Sequence, residues 1–255
     1  LSVKNDLNMV INTTLNYSPN FYPVKRNQNQ IKFIIFHYTG MKKESDSINR
    51  LTEIQSQVSS HYLIKNNGEI ITLVPDLYMA WHAGTSSWKN YNLLNKNSIG
   101  VEISNPGHEF NYKKFSTKQI NSLIRLSKYL IKRYNINPKN ILGHSDIAPD
   151  RKKDPGEKFP WEYLAKNKIS LWHNIERKIL KNHRRHKIDH LSQKIFLNNI
   201  SKIGYSKKNK KNISKKKYQV FVIKAFQRRY RQELVDGKID KECLLISNNL
   251  IKKKY

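Results

Sequence analysis

The stretch Ile31-Lys32-Phe33-Ile34-Ile35-Phe36-His37 predicts a β-strand that ends at a histidine. Its apolar run has the length of a β-strand, and a histidine stands directly at the end of that run. A second strand-like run, Ser98-Ile99-Gly100-Val101-Glu102-Ile103, carries one carboxylate among apolar residues. The sequence therefore predicts a β-sheet with ionisable side chains on or beside its strands.

A hairpin is predicted between these two strands. The segment Asn66-Asn67-Gly68-Glu69 separates two strand-like runs, residues 61–65 and 70–74. Asn-Gly between two such runs is a strong signal for a tight turn. Strands and helices mixed in this order predict one α/β domain over residues 17–172.

Two helices are predicted within that domain. Residues 45–58 suit a helix whose N-cap would be Ser45 or Asp46. From Ser116, another candidate N-cap, to Tyr134, apolar residues recur at the spacing of one helix face. We therefore expect helices next to the predicted strands.

The sequence changes character after Trp172, where basic and helical patterns replace the strands. Helices are predicted over residues 174–200, 218–230 and 240–251, and residues 206–217 are predicted to be an exposed Lys/Asn/Ser loop. The predicted organisation is an N-terminal extension (residues 1–16), an α/β domain (17–172) and a small all-α domain (173–255).

The charge of the chain is extreme and uneven. The formal net charge is +29, and residues 173–255 hold 24 of the 48 Lys and Arg but only 6 of the 19 Asp and Glu. A polyanionic partner such as nucleic acid, anionic lipid or an acidic cell-wall polymer would explain this excess. An AT-rich genome, which enriches Lys, Asn and Ile, would explain it equally, so charge alone identifies no partner.

Cysteine usage and hydropathy exclude several classes of protein. Cys243 is the single cysteine, which rules out an intramolecular disulfide and a cysteine-rich zinc site. The sequence contains no run of 18 or more apolar residues, so it predicts no membrane-spanning helix. The chain begins at Leu1 rather than Met, and removal of a signal peptide or expression of a shortened chain would leave the same start.

The loop Gly143-His144-Ser145-Asp146-Ile147-Ala148-Pro149-Asp150-Arg151-Lys152-Lys153-Asp154-Pro155-Gly156 is the chemically richest part of the chain. His144 and Asp154, together with His37, would supply two imidazole nitrogens and one carboxylate to a zinc ion. Catalytic zinc sites use three protein ligands and keep a fourth position open. Because ligands that are distant in sequence leave no local signature, structural histidines remain the alternative.

Glu102 and Lys152 are the candidates for the remaining chemistry. Glu102 lies in an apolar strand, where it either faces solvent at an edge or acts as a general base toward a metal-activated water. Lys152 stands two residues before Asp154, so both can project to the same side of an extended loop. A cation there could stabilise an oxyanion, although a solvated lysine is the simpler reading of an Arg-Lys-Lys run.

Five motifs, taken together, carry a family resemblance. In chain order they are His37-Tyr38-Thr39, Ser60-His61-Tyr62-Leu63-Ile64, Ala80-Trp81-His82-Ala83-Gly84, Asn95 with Ser98-Ile99-Gly100-Val101-Glu102, and the loop 143–156. These motifs closely resemble the zinc-dependent N-acetylmuramoyl-L-alanine amidases of the AmpD/AmiD type, the amidase_2 family, which is related to the peptidoglycan recognition proteins. The tail is similar to a small helical peptidoglycan-binding module through Ala225-Phe226-Gln227-Arg228-Arg229-Tyr230 and Asp236-Gly237.

The resemblance implies a fold, a cofactor and a reaction. The fold would be a central mixed β-sheet flanked by helices, followed by a small all-α domain. One zinc ion per chain would be bound by His37, His144 and Asp154, with Glu102 as the base and Lys152 as the oxyanion stabiliser. Asp146 is then not a ligand. The bond cleaved would be the amide between the lactyl group of N-acetylmuramic acid and L-alanine in peptidoglycan or muropeptides.

The resemblance also suggests which residues contact substrate, namely Trp81, His82, Ala83, Gly84 and Asn95. The first four are expected to line the substrate groove. His61 is expected to be a buried hydrogen-bonding residue instead. Members of the family often carry an arginine between the Trp-His-Ala-Gly motif and Asn95 that can pair with a stem-peptide carboxylate. Here Lys89 is the only cation in that stretch, and lysine is not an equivalent bidentate partner.

Other functions and compartments stay open at this point. A non-catalytic peptidoglycan binder on the same fold is the main alternative, and nucleic-acid binding by the basic tail is disfavoured because no such motif occurs. The cell envelope is favoured over a cytoplasmic recycling role, because a wall-binding tail has less use on soluble fragments. Five further histidines are predicted to be surface residues: His108, His173, His183, His186 and His190.

Overall fold

The computed structural model describes residues 11–206 and 213–253. Its strands are β1 (Thr14–Leu15), β2 (Phe21–Tyr22), β3 (Phe33–Tyr38), β4 (Tyr62–Ile64), β5 (Ile70–Thr72), β6 (Met79–Ala80), β7 (Ser87–Trp88), β8 (Tyr91–Asn92), β9 (Ser98–Ile103) and β10 (Ile141–Gly143). Its helices are α1 (Glu44–Thr52), α2 (Thr117–Tyr134), α3 (His144–Ile147), α4 (Trp161–Lys166), α5 (Arg177–His183), α6 (His190–Ile203), α7 (Lys215–Tyr230) and α8 (Lys241–Lys252).

A six-stranded sheet forms the centre of the molecule, in the order β1-β5-β4-β9-β3-β10. Its neighbouring strands are parallel except β4 and β5, which form the antiparallel hairpin predicted from Asn-Gly. The predicted strand Ser98–Ile103 is confirmed as β9. The mixed sheet flanked by helices agrees with the predicted fold class.

One face of the sheet packs against α2. Because side chains alternate across a strand, Ile34 and Phe36 of β3 point to this face and join a core that includes Leu123 and Leu126 of α2. The N-terminus of α2 has the predicted cap: Ser116 Oγ accepts from the backbone N–H of Gln119, and the Gln119 side chain accepts from the N–H of Ser116.

The opposite face of the sheet is covered partly by the C-terminal helices. Phe33 and Ile35 of β3 point to this face and belong to one buried cluster with Phe196 of α6, Phe226 of α7 and Ile246 of α8. The α5–α8 segment is therefore all-helical, as predicted, but it shares its core with the sheet. The boundary near residue 172 stays a prediction.

Several predicted element bounds are wrong. The helix expected over residues 45–58 ends at Thr52 and begins at Glu44, and its N-cap is Lys43, which makes no side-chain capping bond. The expected helix over 174–200 is two helices, α5 and α6, separated by a turn. In the loop expected over residues 206–217, residues 207–212 lie outside the described residues, and residues 215–217 belong instead to α7, which begins at Lys215. In the part of the chain that is described, no helix has the length and apolar character to cross a membrane.

Candidate active site

The register of two parallel strands brings His37 and Glu102 together. Their Cα atoms are direct partners between β3 and β9, so both side chains project from the same face of the sheet. Ile99, Val101 and Ile103 of β9 point to the other face, into the core against α2. Glu102 thus lies on the face of the sheet that carries His37, opposite the apolar residues of its strand.

The third strand of the site, β10, delivers His144. β10 ends at Gly143, and the short helix α3 begins at His144. Asp146 holds this junction, because its Oδ2 accepts from the Gly143 N–H at 2.8 Å and from Arg229 Nη1 at 2.7 Å. The other carboxylate oxygen accepts from Tyr205 Oη at 2.6 Å. Asp146 is fully engaged in these contacts, as expected of a residue that is not a ligand.

His37, His144 and Asp154 form a compact triangle of donor atoms. The two Nδ1 atoms are 2.9 Å apart, and each lies 3.1 Å from Asp154 Oδ2. Ligands about 2.0–2.1 Å from a tetrahedral zinc ion would lie roughly 3.3 Å from one another. All three residues are buried, and within the described residues they are the one group of His, Cys, Asp or Glu that could hold a metal ion. Two imidazoles and a carboxylate at this spacing fit zinc.

The electrostatics of the triangle favour the ligand forms of His37 and Asp154. Burial, reinforced by the neighbouring His144, lowers the pKa of His37 to about 4, so its imidazole is neutral. Burial alone would raise the pKa of Asp154, but the two adjacent histidines hold that pKa well below its usual value. A neutral imidazole and an ionised carboxylate are the forms that bind metals.

Glu102 is the other unusual group. Its Oε2 is buried and has no hydrogen-bond partner among the described residues. Burial, together with the nearby charge of Asp154, raises the pKa of the Glu102 carboxyl to about 8, and Lys152 opposes this shift. An unpartnered buried carboxylate costs free energy, and it is a frequent feature of functional sites.

These groups open onto a cavity of about 480 Å³. Trp81 and Lys152 line the same cavity, so the structure brings two more predicted residues to the site. Arg50 of α1 lines it as well, although no sequence motif pointed to that residue. Arg50 reaches the cavity wall because of the way α1 packs beside the sheet, and the local sequence does not reveal that packing. Lys89, the cation noted above, is not on the cavity wall.

His108, which was predicted to be a surface residue, is partly exposed and lines the cavity. Its Nδ1 lies 2.8 Å from Tyr38 Oη, and its Nε2 lies 3.0 Å from a carboxylate oxygen of Glu157. His173 is wrongly predicted, since only 8% of it is exposed.

The segment Trp81–Gly84 is only partly a cavity wall. Trp81 and His82 line the cavity, but Ala83 is fully buried and its carbonyl oxygen lies 3.2 Å from His144 Nε2. Asn95 Oδ1 accepts from the backbone N–H groups of His82 and Ala83, at 3.2 and 2.7 Å. Ala83, Gly84 and Asn95 are therefore placed behind the wall or beside it, and their predicted substrate contacts receive no support from these positions.

His61 is a buried hydrogen-bonding residue, as expected. Its Nδ1 accepts from the Gly100 N–H at 2.9 Å, and its Nε2 lies 3.0 Å from the carbonyl oxygen of Tyr78. Burial, followed by the nearby Arg26, lowers its pKa to about 3.

Comparison with known proteins identifies relatives over nearly the whole chain. Residues 27–157 match the Amidase_2 family model, described as N-acetylmuramoyl-L-alanine amidase. The chain is 37% identical over 236 residues to the N-acetylmuramoyl-L-alanine amidase AmiD of Escherichia coli K12, covering 88% of this chain and 83% of that protein. It is 40% identical over 105 residues to the 1,6-anhydro-N-acetylmuramyl-L-alanine amidase AmpD of the same organism, covering 41% of this chain and 55% of AmpD.

Solved structures agree with this assignment. The structure of E. coli AmiD in complex with anhydro-N-acetylmuramic acid-L-Ala-D-gamma-Glu-L-Lys superposes with a TM-score of 0.76 at 36% identity, over 88% of this chain and 89% of that one. Pseudomonas aeruginosa AmpDh3 superposes with a TM-score of 0.73 at 29% identity, over 98% and 97% of the two chains. This chain belongs to the Amidase_2 family of N-acetylmuramoyl-L-alanine amidases.

Proposed function

We propose that this amidase hydrolyses the amide bond between the lactyl group of N-acetylmuramic acid and L-alanine of the stem peptide, using one zinc ion bound by His37, His144 and Asp154. The observation that carries the proposal is the buried triangle of two imidazoles and one carboxylate, with Glu102 on the same face of the sheet. The match to AmiD, whose structure holds a muropeptide substrate, supports the substrate class.

Each residue has a defined task in this reaction. When bound, zinc supplies Lewis acidity, which acidifies water and polarises a carbonyl group. Glu102 takes a proton from the attacking water and then gives it to the amide nitrogen as the C–N bond breaks. The Lys152 ammonium stabilises the negative charge that develops on the carbonyl oxygen. The products are a lactyl carboxylate and a peptide with a free L-alanine amine.

The charges around Glu102 support its role as the base. A base must be ionised before it can accept a proton, and burial opposes ionisation of this carboxyl. The positive charge of Lys152 lowers the pKa of Glu102, and a bound cation would lower it further. The same surroundings make a protonated Glu102 stable after proton transfer. The group can thus work in both directions near neutral pH.

Arg50 is proposed to replace the arginine that many relatives carry before Asn95. It is an exposed guanidinium on the wall of the cavity that contains the triangle. A stem peptide ends in carboxylates, and the planar guanidinium can bind a carboxylate through two parallel hydrogen bonds. Trp81, on the same wall, would contact the sugar or peptide through its ring.

We propose the cell envelope as the place of action, with peptidoglycan or its fragments as the partner. The support is the match to AmiD over both the sheet and the C-terminal helices, and the strongly basic character of residues 173–255. Cytoplasmic recycling of soluble fragments is the alternative. Product analysis on intact sacculi and on soluble anhydro-muropeptides, by mass spectrometry, separates the two.

The test of the proposed reaction is substitution of the base. Glu102→Ala is expected to retain one zinc ion per chain by elemental analysis and to lose release of the stem peptide from muropeptides. Glu102→Gln keeps the shape of the side chain but cannot act as a base. It should therefore be as inactive as Glu102→Ala, which separates loss of the carboxylate from loss of packing. Turnover at the wild-type rate in both variants would refute the role of Glu102.

A further inference from the structure

His82 lies directly behind the metal triangle. Only 8% of the residue is exposed, and its Nδ1 lies 3.0 Å from Nε2 of His37, the ring nitrogen that faces away from the triangle. On the other side of the ring, His82 Nε2 lies 3.1 Å from Ser98 Oγ. The Ser98 hydroxyl in turn donates to the carbonyl oxygen of Leu94 at 2.6 Å. These contacts form one unbroken chain of four groups.

The donor and the acceptor of each hydrogen bond in this chain follow from its last group, the Leu94 carbonyl. A carbonyl oxygen can only accept, so the Ser98 hydroxyl donates to Leu94, and its oxygen accepts from His82 Nε2–H. The neutral His82 ring then has a lone pair on Nδ1, which accepts from His37 Nε2–H. His37 is left with the lone pair on Nδ1, the atom that belongs to the triangle.

The backbone of β9 is shaped to admit the His82 ring. A Cβ atom at Gly100 would lie 2.5 to 2.7 Å from three atoms of that ring, far closer than carbon atoms can approach. Any larger residue at position 100 would therefore displace His82 from His37. The His61 ring packs against the His82 ring in a T-shaped arrangement, with ring centroids 5.7 Å apart. The ring has one place to lie.

The same short segment also orients the other histidine of the triangle. The Ala83 carbonyl oxygen lies 3.2 Å from His144 Nε2, which leaves the lone pair of His144 on Nδ1. Asn95 Oδ1 fixes both residues of the segment through their backbone N–H groups. Metal-binding histidines generally use their second nitrogen in this way, and such partners set the tautomer and the ring orientation.

We infer that His82 is a positioning residue that sets the tautomer and orientation of His37 for the metal, an inference that rests on the proposed zinc function. Both ring nitrogens of His82 are occupied by protein groups, and a neutral imidazole has one donor and one acceptor. The ring therefore has no hydrogen bond left for substrate. This role replaces the substrate contact that the motif suggested for His82.

The test compares His82→Phe with His82→Asn in zinc affinity. Phenylalanine fills the space beside Gly100 but cannot accept from His37, whereas the Asn side-chain oxygen can take the place of Nδ1. Zinc competition against a chromophoric chelator should give a dissociation constant about 10- to 100-fold higher for the Phe variant. The Asn variant should recover part of that loss.

A second measurement separates positioning from mere folding. In the metal-free protein, long-range nitrogen NMR of the histidine rings should show His37 protonated on Nε2 in the wild type and a mixture of tautomers in His82→Phe. If His82→Phe does not fold, Ser98→Ala, which leaves the ring in place, should show a smaller shift in the same direction.

If a folded His82→Phe protein keeps its zinc affinity and its His37 tautomer unchanged, the inference about His82 is wrong, and the proposed zinc function is not affected. A wild-type protein that binds no zinc would instead overturn the proposed function on which it rests.

Discussion

Glu102 should make the metal-free protein less stable as pH rises, and Glu102→Gln should remove that effect. The carboxyl has a pKa of about 8 in the folded chain, against an ordinary value of 4.5, because it is buried beside Asp154. Below pH 4.5 the carboxyl is protonated in both the folded and the unfolded states, so it carries no penalty. As pH rises from 4.5 to 8 the unfolded state releases its proton first, and the folded state loses stability.

The size of the effect follows from the difference between the two pKa values. At about 1.4 kcal/mol for each tenfold change in proton affinity, ionised Glu102 costs up to roughly 4 to 5 kcal/mol above pH 8 and about 3 kcal/mol at pH 7. Glutamine keeps the shape of the side chain and cannot ionise. The free energy of unfolding of Glu102→Gln should therefore exceed that of the wild type by a few kcal/mol at pH 8.5, and by almost nothing at pH 4.5.

The assay is urea denaturation in the presence of a chelator, at several pH values between 4.5 and 8.5, for the wild type and Glu102→Gln. The zinc-loaded proteins are the control, because a cation near Glu102 favours its ionised form and should shrink the difference. A gap in unfolding free energy that does not change with pH would show that Glu102 titrates alike in the folded and unfolded chains, and the expected effect would be absent.

Three further outcomes are expected. Arg229→Met should lower the free energy of unfolding by about 3 to 5 kcal/mol in urea denaturation, because it removes the only positive charge paired with the buried Asp146 carboxylate among the described residues; the exposed Arg177→Met should cost under about 1 kcal/mol. Lys152→Ala should lower kcat about 10²- to 10³-fold in steady-state muropeptide hydrolysis with zinc content unchanged, as loss of an oxyanion donor does, and an unchanged kcat would exclude that role. Arg50→Ala should raise KM several-fold for stem peptides with free carboxylates and leave kcat alone; equal KM values for amidated and free peptides in both proteins would contradict the proposed contact.

Local patterns in the sequence predicted the elements that depend on their own residues. The structure confirms the strand Ser98–Ile103 and the helix that Ser116 caps. Both were predictable because strand alternation and helix capping depend on residues that are close together in the sequence. Glu102 also stood out locally, as one carboxylate in an apolar strand.

Contacts between residues that are distant along the chain could not be predicted from the sequence. The packing of α6–α8 on the sheet joins Phe33 to Phe226, and the bond from Arg229 to Asp146 spans 83 positions. The family resemblance places His82 in the substrate groove together with the other residues of its motif. The contact between His82 and His37 requires that position 100 carry no side chain. The sequence does not show that the fold brings Gly100 of β9 beside the His82 ring.

The proposed reaction adds water to the lactyl–alanine amide, with Glu102 as the base. Hydrolysis of a purified muropeptide in heavy-oxygen water, followed by mass spectrometry of both products, shows directly which bond takes up the water. We expect the heavy oxygen in the carboxylate of the muramic acid product, an unlabelled peptide with a free L-alanine amine, and no product from Glu102→Gln. Label in the peptide or at a sugar carbon, or equal product from Glu102→Gln, would rule out this reaction.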